Sequence, residues 1–256
     1  MKQIDLGQDD KKYVSPKEYM PLMLMDSLQL RNIFFAGKKV ADIGSGTGAL
    51  TRKMAMRKAD VVGVDSSQDM LDIAKSLNRL KNFTIPFQKG SAEETRLLDS
   101  YFDIVTVMRA WHLFDRPKAI PEMKRILKEN GTLIIIDARF TEIHEEIFNA
   151  FYQTLTGGSN LPKLEVDNKQ RLNTFPVEWF AEWQSEGFEL RDFYKLNYMV
   201  PLTKQEWMDQ FNARAFITGP DESIQNELSE ILIETLGEEP YSVTCECNVC
   251  ILRLKE

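Results

Sequence analysis

The stretch VADIGSGTGAL, residues 40–50, sets three glycines two apart directly behind an apolar run. Glycine inside a regular element costs roughly 0.5–1 kcal/mol relative to alanine, so Gly44, Gly46 and Gly48 need a reason. The usual reason is a backbone that turns sharply while a ligand approaches it closely. The chain therefore belongs among folds in which a strand feeds a helix through a ligand-holding turn.

The surrounding pattern agrees. KKVADIG reads as a first strand and ALTRKMAMRKA as the helix behind the loop. DVVGVD (60–65) reads as a second strand, followed by a helix whose apolar face is Met70, Ile73, Ala74 and Leu77. FTIPFQKG is a third strand, which Pro86 makes short or places near an edge. YFDIVTVM is a fourth strand. PKAIPEMKRILKENG is a helix with Ile120, Met123, Ile126 and Leu127 on one side and Gly131 as its C-terminal cap. TLIIIDA, apolar through its middle, is a fifth strand buried on both faces. Such alternation predicts a parallel sheet flanked by helices.

After Asp137 the pattern changes. Residues 140–156 read as helical, and the polar stretch up to Pro176 as a loop or lid. VEWFAEWQSEGF is a helix stopped by Gly187, and ELRDFYKLNYMV a long strand. Two more helices follow within 203–238, the second opening on Asp221 as N-cap. The aromatics Trp179, Phe180 and Trp183 stand at helical spacing and read as core.

The three cysteines, Cys245, Cys247 and Cys250, lie close together, and the two histidines, His112 and His144, stand far from them. A metal site lacks a second ligand cluster, so no metal is expected. The cysteines fit a terminal strand instead, with Val243, Cys245, Cys247, Val249 and Ile251 on one face and Cys250, Leu252 and Leu254 on the other. The expected fold is thus α/β and Rossmann-like, a seven-stranded mostly parallel sheet with the last strand antiparallel, helices on both faces and helical lid insertions. One domain covers 1–256, with a core at about 34–139 and 176–256 and insertions at about 140–175 and 203–238.

Charge narrows the partners. The formal net charge of −7 repels a phosphate backbone, so nucleic acid is not an expected ligand. No stretch reaches the ~20 apolar residues of a membrane helix, and the polar N-terminus lacks a signal peptide's apolar middle. A cytoplasmic protein acting on a small molecule is expected, with the oligomeric state open.

The loop alone fits two cofactors. Gly44, Gly46 and Ala49 satisfy the dinucleotide pattern, and Asp42 with Gly44, Gly46 and Gly48 satisfies that of S-adenosylmethionine binders. Asp65, about 20 residues downstream at the end of the second strand, suits the ribose hydroxyls of either ligand. Two aspartates flanking the loop favour a cationic ligand over a pyrophosphate. A Tyr13/Lys17 pair lies ahead of the loop and contains Pro16, the wrong place for a reductase dyad.

Taken in order, VADIGSGTGALT, VVGVDSSQDMLDIAK, GSAEE and FDIVTVMRAWHLFDRPKAIPEMKRILKENGTLIIID resemble the class I S-adenosylmethionine-dependent methyltransferases of bacterial small-molecule type. The resemblance spans roughly residues 36–138. It implies that Asp42 sits near the methionine amine and that Gly44, Ser45, Gly46 and Gly48 pass under the methionine and ribose. By the same likeness Asp65 holds the ribose, with Ser66 and Met70 beside the adenosine. Ser91, Ala92 and Glu93 lie against the adenine, and Arg109 and Ala110 face the sulfonium. Arg109 is a departure, since many relatives carry a small or polar residue there.

Methyl transfer is an in-line displacement on an already activated methyl, so the protein supplies chiefly alignment, worth ~7–11 kcal/mol. A thiol, carboxylate or unprotonated amine acceptor needs no base, whereas an alcohol or carbon acid does. His112, after the fourth strand, is the candidate base and with Trp111 the candidate acceptor pocket. His144 stands among glutamates and reads as a surface residue. The alternatives to a methyltransferase are an NAD(P)-dependent oxidoreductase and a non-catalytic cofactor-binding module of the same fold.

Overall fold

A computed structural model describes residues 20–141, 170–203, 230 and 241–255. After a short helix α1 (Leu24–Gln29), strands β1 (Lys39–Ile43), β2 (Asp60–Asp65), β3 (Phe87–Lys89), β4 (Phe102–Met108) and β5 (Leu127–Phe140) alternate with α2 (Ala49–Met56), α3 (Gln68–Leu80) and α4 (Arg116–Ile126). A 3-10 turn, Trp111–Leu113, lies between β4 and α4. A small hairpin, β6 (Arg171–Leu172) and β7 (Phe175–Pro176), leads into α5 (Val177–Ser185), β8 (Phe188–Leu202) and β9 (Tyr241–Leu254).

The main sheet has seven strands in the order β3-β2-β1-β4-β5-β9-β8. β1 pairs in parallel with β2 and β4, β2 with β3, and β4 with β5. The last strand is antiparallel, completing the expected Rossmann-like sheet. Strand order reverses at β1, between β2 on one side and β4 on the other. Such a reversal opens a crevice at the carboxyl ends of the strands, where ligands of open α/β sheets bind.

Contacts divide the chain into two compact units. One holds Met20–Ala138, Gln170–Leu196 and Cys247–Glu256, and the other Met1–Tyr19, Arg139–Lys169 and Asn197–Glu246. In the first, Leu133, Ile134, Ile135 and Ile136 are buried on both faces of β5, as a run of apolar residues between helical layers requires. Ile120, Met123 and Ile126 of α4 are buried in the same core as Trp179 and Trp183. The rings of Trp111, Phe175, Trp179 and Phe180 all lie within 5.2–6.3 Å of Trp183. In the second unit, Thr141 N donates to Thr244 O at 2.9 Å, and Arg139 Nε to Glu246 Oε1 at 2.7 Å.

Several expectations shift. The buried stripe of α3 is Leu71, Ala74, Leu77 and Asn78, leaving Met70 and Ile73 half-exposed on its flank. Asn78 is tied down because its Nδ2 donates to Ile85 O at 2.9 Å. Gly131 caps no helix. α4 ends at Ile126, the chain turns extended at Leu127, and Asn130 takes the left-handed conformation at φ 59°. Gly131 is needed for space, since a Cβ there would lie 2.8 Å from Lys128 O. β3 is an edge strand and is cut to three residues after Pro86, as that proline predicts. Gly187, at φ 93°, ends the α5 segment as expected. The terminal strand buries Cys245, Cys247 and Cys250, all free, and the described residues hold no cluster able to bind a metal. Nearly all of the helical insertions, with Asp221 and His144, lie outside the described residues. No helix of the described residues is long and apolar enough to cross a membrane.

Candidate active site

The loop after β1 is bolted to β2. Gly44 N and Ser45 N both donate to Val64 O, at 2.8 and 3.0 Å. Gly48 N closes the turn on Ser45 O at 2.9 Å, and Arg52 Nη1 braces it through Thr47 O at 2.7 Å. All three glycines have positive φ, a backbone region costly to other residues. Their surroundings differ. A Cβ on Gly44 would come within 2.6 Å of the Ala110 Cβ, and one on Gly48 within 2.5 Å of the Phe87 ring. Among the described residues a Cβ on Gly46 would meet nothing within 4 Å. Gly44 and Gly48 are thus glycine for the protein's own packing, and Gly46 faces open space.

Asp65 joins three loops. Its Oδ2 accepts from Gly46 N at 2.7 Å, its Oδ1 from Ser67 N at 2.8 Å, and its backbone oxygen from Gly90 N at 3.1 Å. Ser67 also starts α3 as its N-cap, accepting from Met70 N. Beyond Gly90, Ser91 Oγ accepts from Glu94 N at 3.1 Å, Ala92 is buried, and Glu93 Oε1 accepts from Asp115 N at 2.9 Å. The loop after β4 closes the ring of contacts. Arg109 stands at φ 58° with its N–H on Ile136 O at 2.8 Å, and Ala110 is buried against Gly44. The predicted residues Gly44 to Gly48, Asp65, Ser66, Ser91 to Glu93, Arg109 and Ala110 thus stand in linked loops at one sheet edge.

Two predicted residues have other places. Asp42 lies beneath the loop, 1% exposed, with Oδ2 accepting from Thr51 Oγ1 at 2.6 Å and Oδ1 from Thr106 Oγ1 at 2.8 Å. Burial pushes its carboxyl up to about 6, against the two hydroxyls that hold the ionised form. Trp111 is 2% exposed and belongs to the aromatic core, tilted against Trp183 at 5.7 Å and edge-on to Phe114 at 5.8 Å. His112, next to it, is exposed.

Thr51, Thr106, Phe87 and Gly63 escaped the reading of the sequence. Thr106 sits in an apolar run and Thr51 just ahead of Arg52 and Lys53, and nothing local marks them as the partners of one buried carboxylate. Gly63 had a signal: a glycine inside the strand DVVGVD marks a close approach, here of the Phe87 ring, 2.4 Å from where its Cβ would be.

The loop fits a ligand on its open side. Gly46 leaves room there, and Ser45 Oγ is buried without a hydrogen-bond partner among the described residues. A methyltransferase-domain family matches residues 41–135. An uncharacterised methyltransferase of Mycobacterium tuberculosis is 41% identical over 101 residues, 40% of each chain, so the match spans well under half of that relative's length. A ubiquinone biosynthesis O-methyltransferase of Coxiella burnetii is 30% identical over 204 residues, 76% of this chain and 82% of that one. Among solved structures, the YcgJ protein of Bacillus subtilis superposes with a TM-score of 0.55 at 21% identity, covering 90% of this chain and 97% of its own. The chain belongs to the class I S-adenosylmethionine-dependent methyltransferases, and S-adenosylmethionine is its cofactor. The dinucleotide alternative falls away.

Proposed function

We propose that the protein transfers a methyl group to the hydroxyl of a small-molecule acceptor, with the cofactor seated on the open side of Gly46. The observation that carries the seating is the contrast among the three glycines, of which Gly46 alone has free space beside it. The cofactor supplies a methyl group on a sulfonium, already activated for displacement.

The chain's own residues bind and align. Asp65 receives the ribose hydroxyls, since each of its oxygens accepts one backbone N–H and keeps a lone pair. Gly44, Ser45, Gly46 and Gly48 run under the methionine and ribose, and Ser66 and Met70 flank the adenosine. Ser91, Ala92 and Glu93 form the adenine side, and Arg109 and Ala110 the sulfonium side. Asp42 acts from below, fixing β1, α2 and β4 through Thr51 and Thr106 so that the loop holds its shape.

An oxygen acceptor is supported by the printed activity of the Coxiella relative, and it requires a place for the hydroxyl proton. The imidazole of His112 would take the hydroxyl proton as the acceptor oxygen displaces the sulfur from the methyl carbon, the sulfur leaving as a neutral thioether. Trp111, behind it, fixes the turn that carries His112. The acidic chain supports a small acceptor over nucleic acid. The free cysteines support a cytoplasmic setting. The chain is read as one methyltransferase domain, for which a single cooperative unfolding transition is expected.

Calorimetric titration with S-adenosylmethionine, S-adenosylhomocysteine and NAD(P)H in parallel tests the seating: heat from the first two alone is expected, and heat from NAD(P)H alone would overturn it. Turnover of hydroxylated small molecules by wild type and His112→Ala tests the base. A kcat loss of about 100-fold is expected, within the range for general bases. Equal turnover of the variant would remove His112 from the chemistry.

A further inference from the structure

The opposite edge of the sheet holds a second cleft, of about 660 Å³. Its walls come from the segment before β1, the starts of β4, β5 and β8, and the last residues of β9. None of the loops around Gly46 reaches it. Its size falls within the ~300–1,000 Å³ typical of small-ligand pockets.

One wall presents a guanidinium that is already fixed. Arg31 Cζ lies 3.4 Å from the centroid of the Tyr194 ring. Its Nε donates to Asp192 Oδ2 at 2.6 Å and its Nη1 to Ser27 O at 3.0 Å. Tyr194 is held in turn, its hydroxyl 2.9 Å from Ser27 Oγ. Among the described residues Nη2 has no partner, so Arg31 offers a free donor whose side-chain entropy is already spent.

The charge of the cleft runs against that of the chain. Five cations and three carboxylates line it, in a protein whose net charge is −7. Lys128 Nζ is matched by Asp103 at 2.9 Å and Arg191 by Glu189 at 3.2 Å. Lys38 and Arg253 are both exposed and, among the described residues, have no ion-pair partner; Glu129 is likewise unmatched. Apolar surface adjoins the charge: Ile33, Ile104 and Ile251 line the cleft, and Phe34 there is 52% exposed.

Two unmatched cations against one unmatched carboxylate, a fixed guanidinium and an exposed aromatic ring together describe the complement of a phosphate on an apolar body. We propose that this cleft binds a phosphate monoester of a small aromatic or apolar alcohol. Arg31 Nη2, Lys38 and Arg253 receive the phosphate, and the ring of Phe34 takes the apolar part. The site is separate from the methyl-transfer site and does not depend on it.

Phenyl phosphate is the probe, titrated by calorimetry with and without saturating S-adenosylhomocysteine. Saturable one-to-one binding is expected in both conditions, tighter than that of inorganic phosphate. The double variant Lys38→Gln/Arg253→Gln, altered only at exposed side chains, should bind phenyl phosphate roughly tenfold more weakly. It should bind S-adenosylhomocysteine as wild type does. Glu129→Gln should tighten phenyl phosphate binding roughly threefold by removing an opposing charge. Three results would each overturn the proposal: no saturable binding, equal binding by the double variant, or displacement of phenyl phosphate by S-adenosylhomocysteine.

Discussion

The two edges of the one sheet are built from opposite charges. At the carboxyl edge Asp65 stands beside the glycine loop and Asp42 beneath it, tied to backbone N–H groups and threonine hydroxyls. At the amino edge Lys38 and Arg253 stand exposed beside a braced Arg31. The first arrangement offers carboxylate acceptors, as the proposed ribose contact of Asp65 needs, and the second offers donors to an anion. The supports differ as well. The carboxyl edge rests on fully buried groups and tight steric contacts, so substitutions at Asp42, Gly44 or Gly48 should disturb folding as well as binding. The cations of the amino edge are largely exposed, so substitutions there should disturb binding alone.

The largest expected effect tests how far the core reaches under the carboxyl edge. Trp111→Ala should lower unfolding free energy by about 3–5 kcal/mol in denaturant melts, the usual cost of truncating a buried tryptophan. A loss below about 1 kcal/mol would make Trp111 a pocket wall instead of a core residue.

Next comes Asp42. Burial raises its carboxyl from 3.8 to about 6, so between those pH values the folded chain holds a proton that the unfolded chain has released. The stability from this group is full below about pH 4 and is lost as pH rises through about 6, a change of about 3 kcal/mol. Other carboxylates cancel in the comparison with Asp42→Asn. Wild-type stability minus that of the variant should therefore fall by that amount between pH 4 and 7, and a flat difference would contradict the burial argument.

Asp65→Ala removes the acceptor of two backbone N–H groups and of the proposed ribose contact. S-adenosylhomocysteine affinity should fall by about 1.5–3 kcal/mol, the range for hydrogen bonds to a charged group. Unchanged affinity in a folded variant would take Asp65 out of the site. Gly48→Ala has a smaller expected effect, about 1–3 kcal/mol of stability for forcing a methyl into the Phe87 ring. The Lys38/Arg253 double variant should show no loss of stability beyond about 0.5 kcal/mol, which would confirm how differently the edges are supported.

The edges also differ in how far they could be read in advance. Gly44, Gly46, Gly48 and Asp65 lie within one strand–helix–strand unit, where local spacing carries the signal, and the structure brings them together. The amino-edge cleft is assembled from stretches around residues 31–38, 103, 128–132, 191 and 251–253, and no window of sequence contains it. Asp42 shows the same limit within the motif itself. Its position was legible, but its burial under Thr51 and Thr106 depends on α2 and β4 folding over it. The face of α3 shifted by one position because Leu71 and Asn78, not Met70 and Ile73, meet the sheet side. Periodicity fixes the period of an amphipathic helix more firmly than its rotation.

The central claim is that the open side of Gly46 holds the cofactor, and Gly46→Asn tests it most directly. Asparagine tolerates the left-handed backbone better than most side chains, and among the described residues no atom beyond the adjoining residues stands within 4 Å of the added Cβ. The variant should keep its melting temperature within a few degrees, and calorimetry should find S-adenosylhomocysteine bound at least about tenfold more weakly, a loss of about 1.4 kcal/mol. Wild-type affinity in a folded Gly46→Asn protein would mean that the cofactor lies elsewhere.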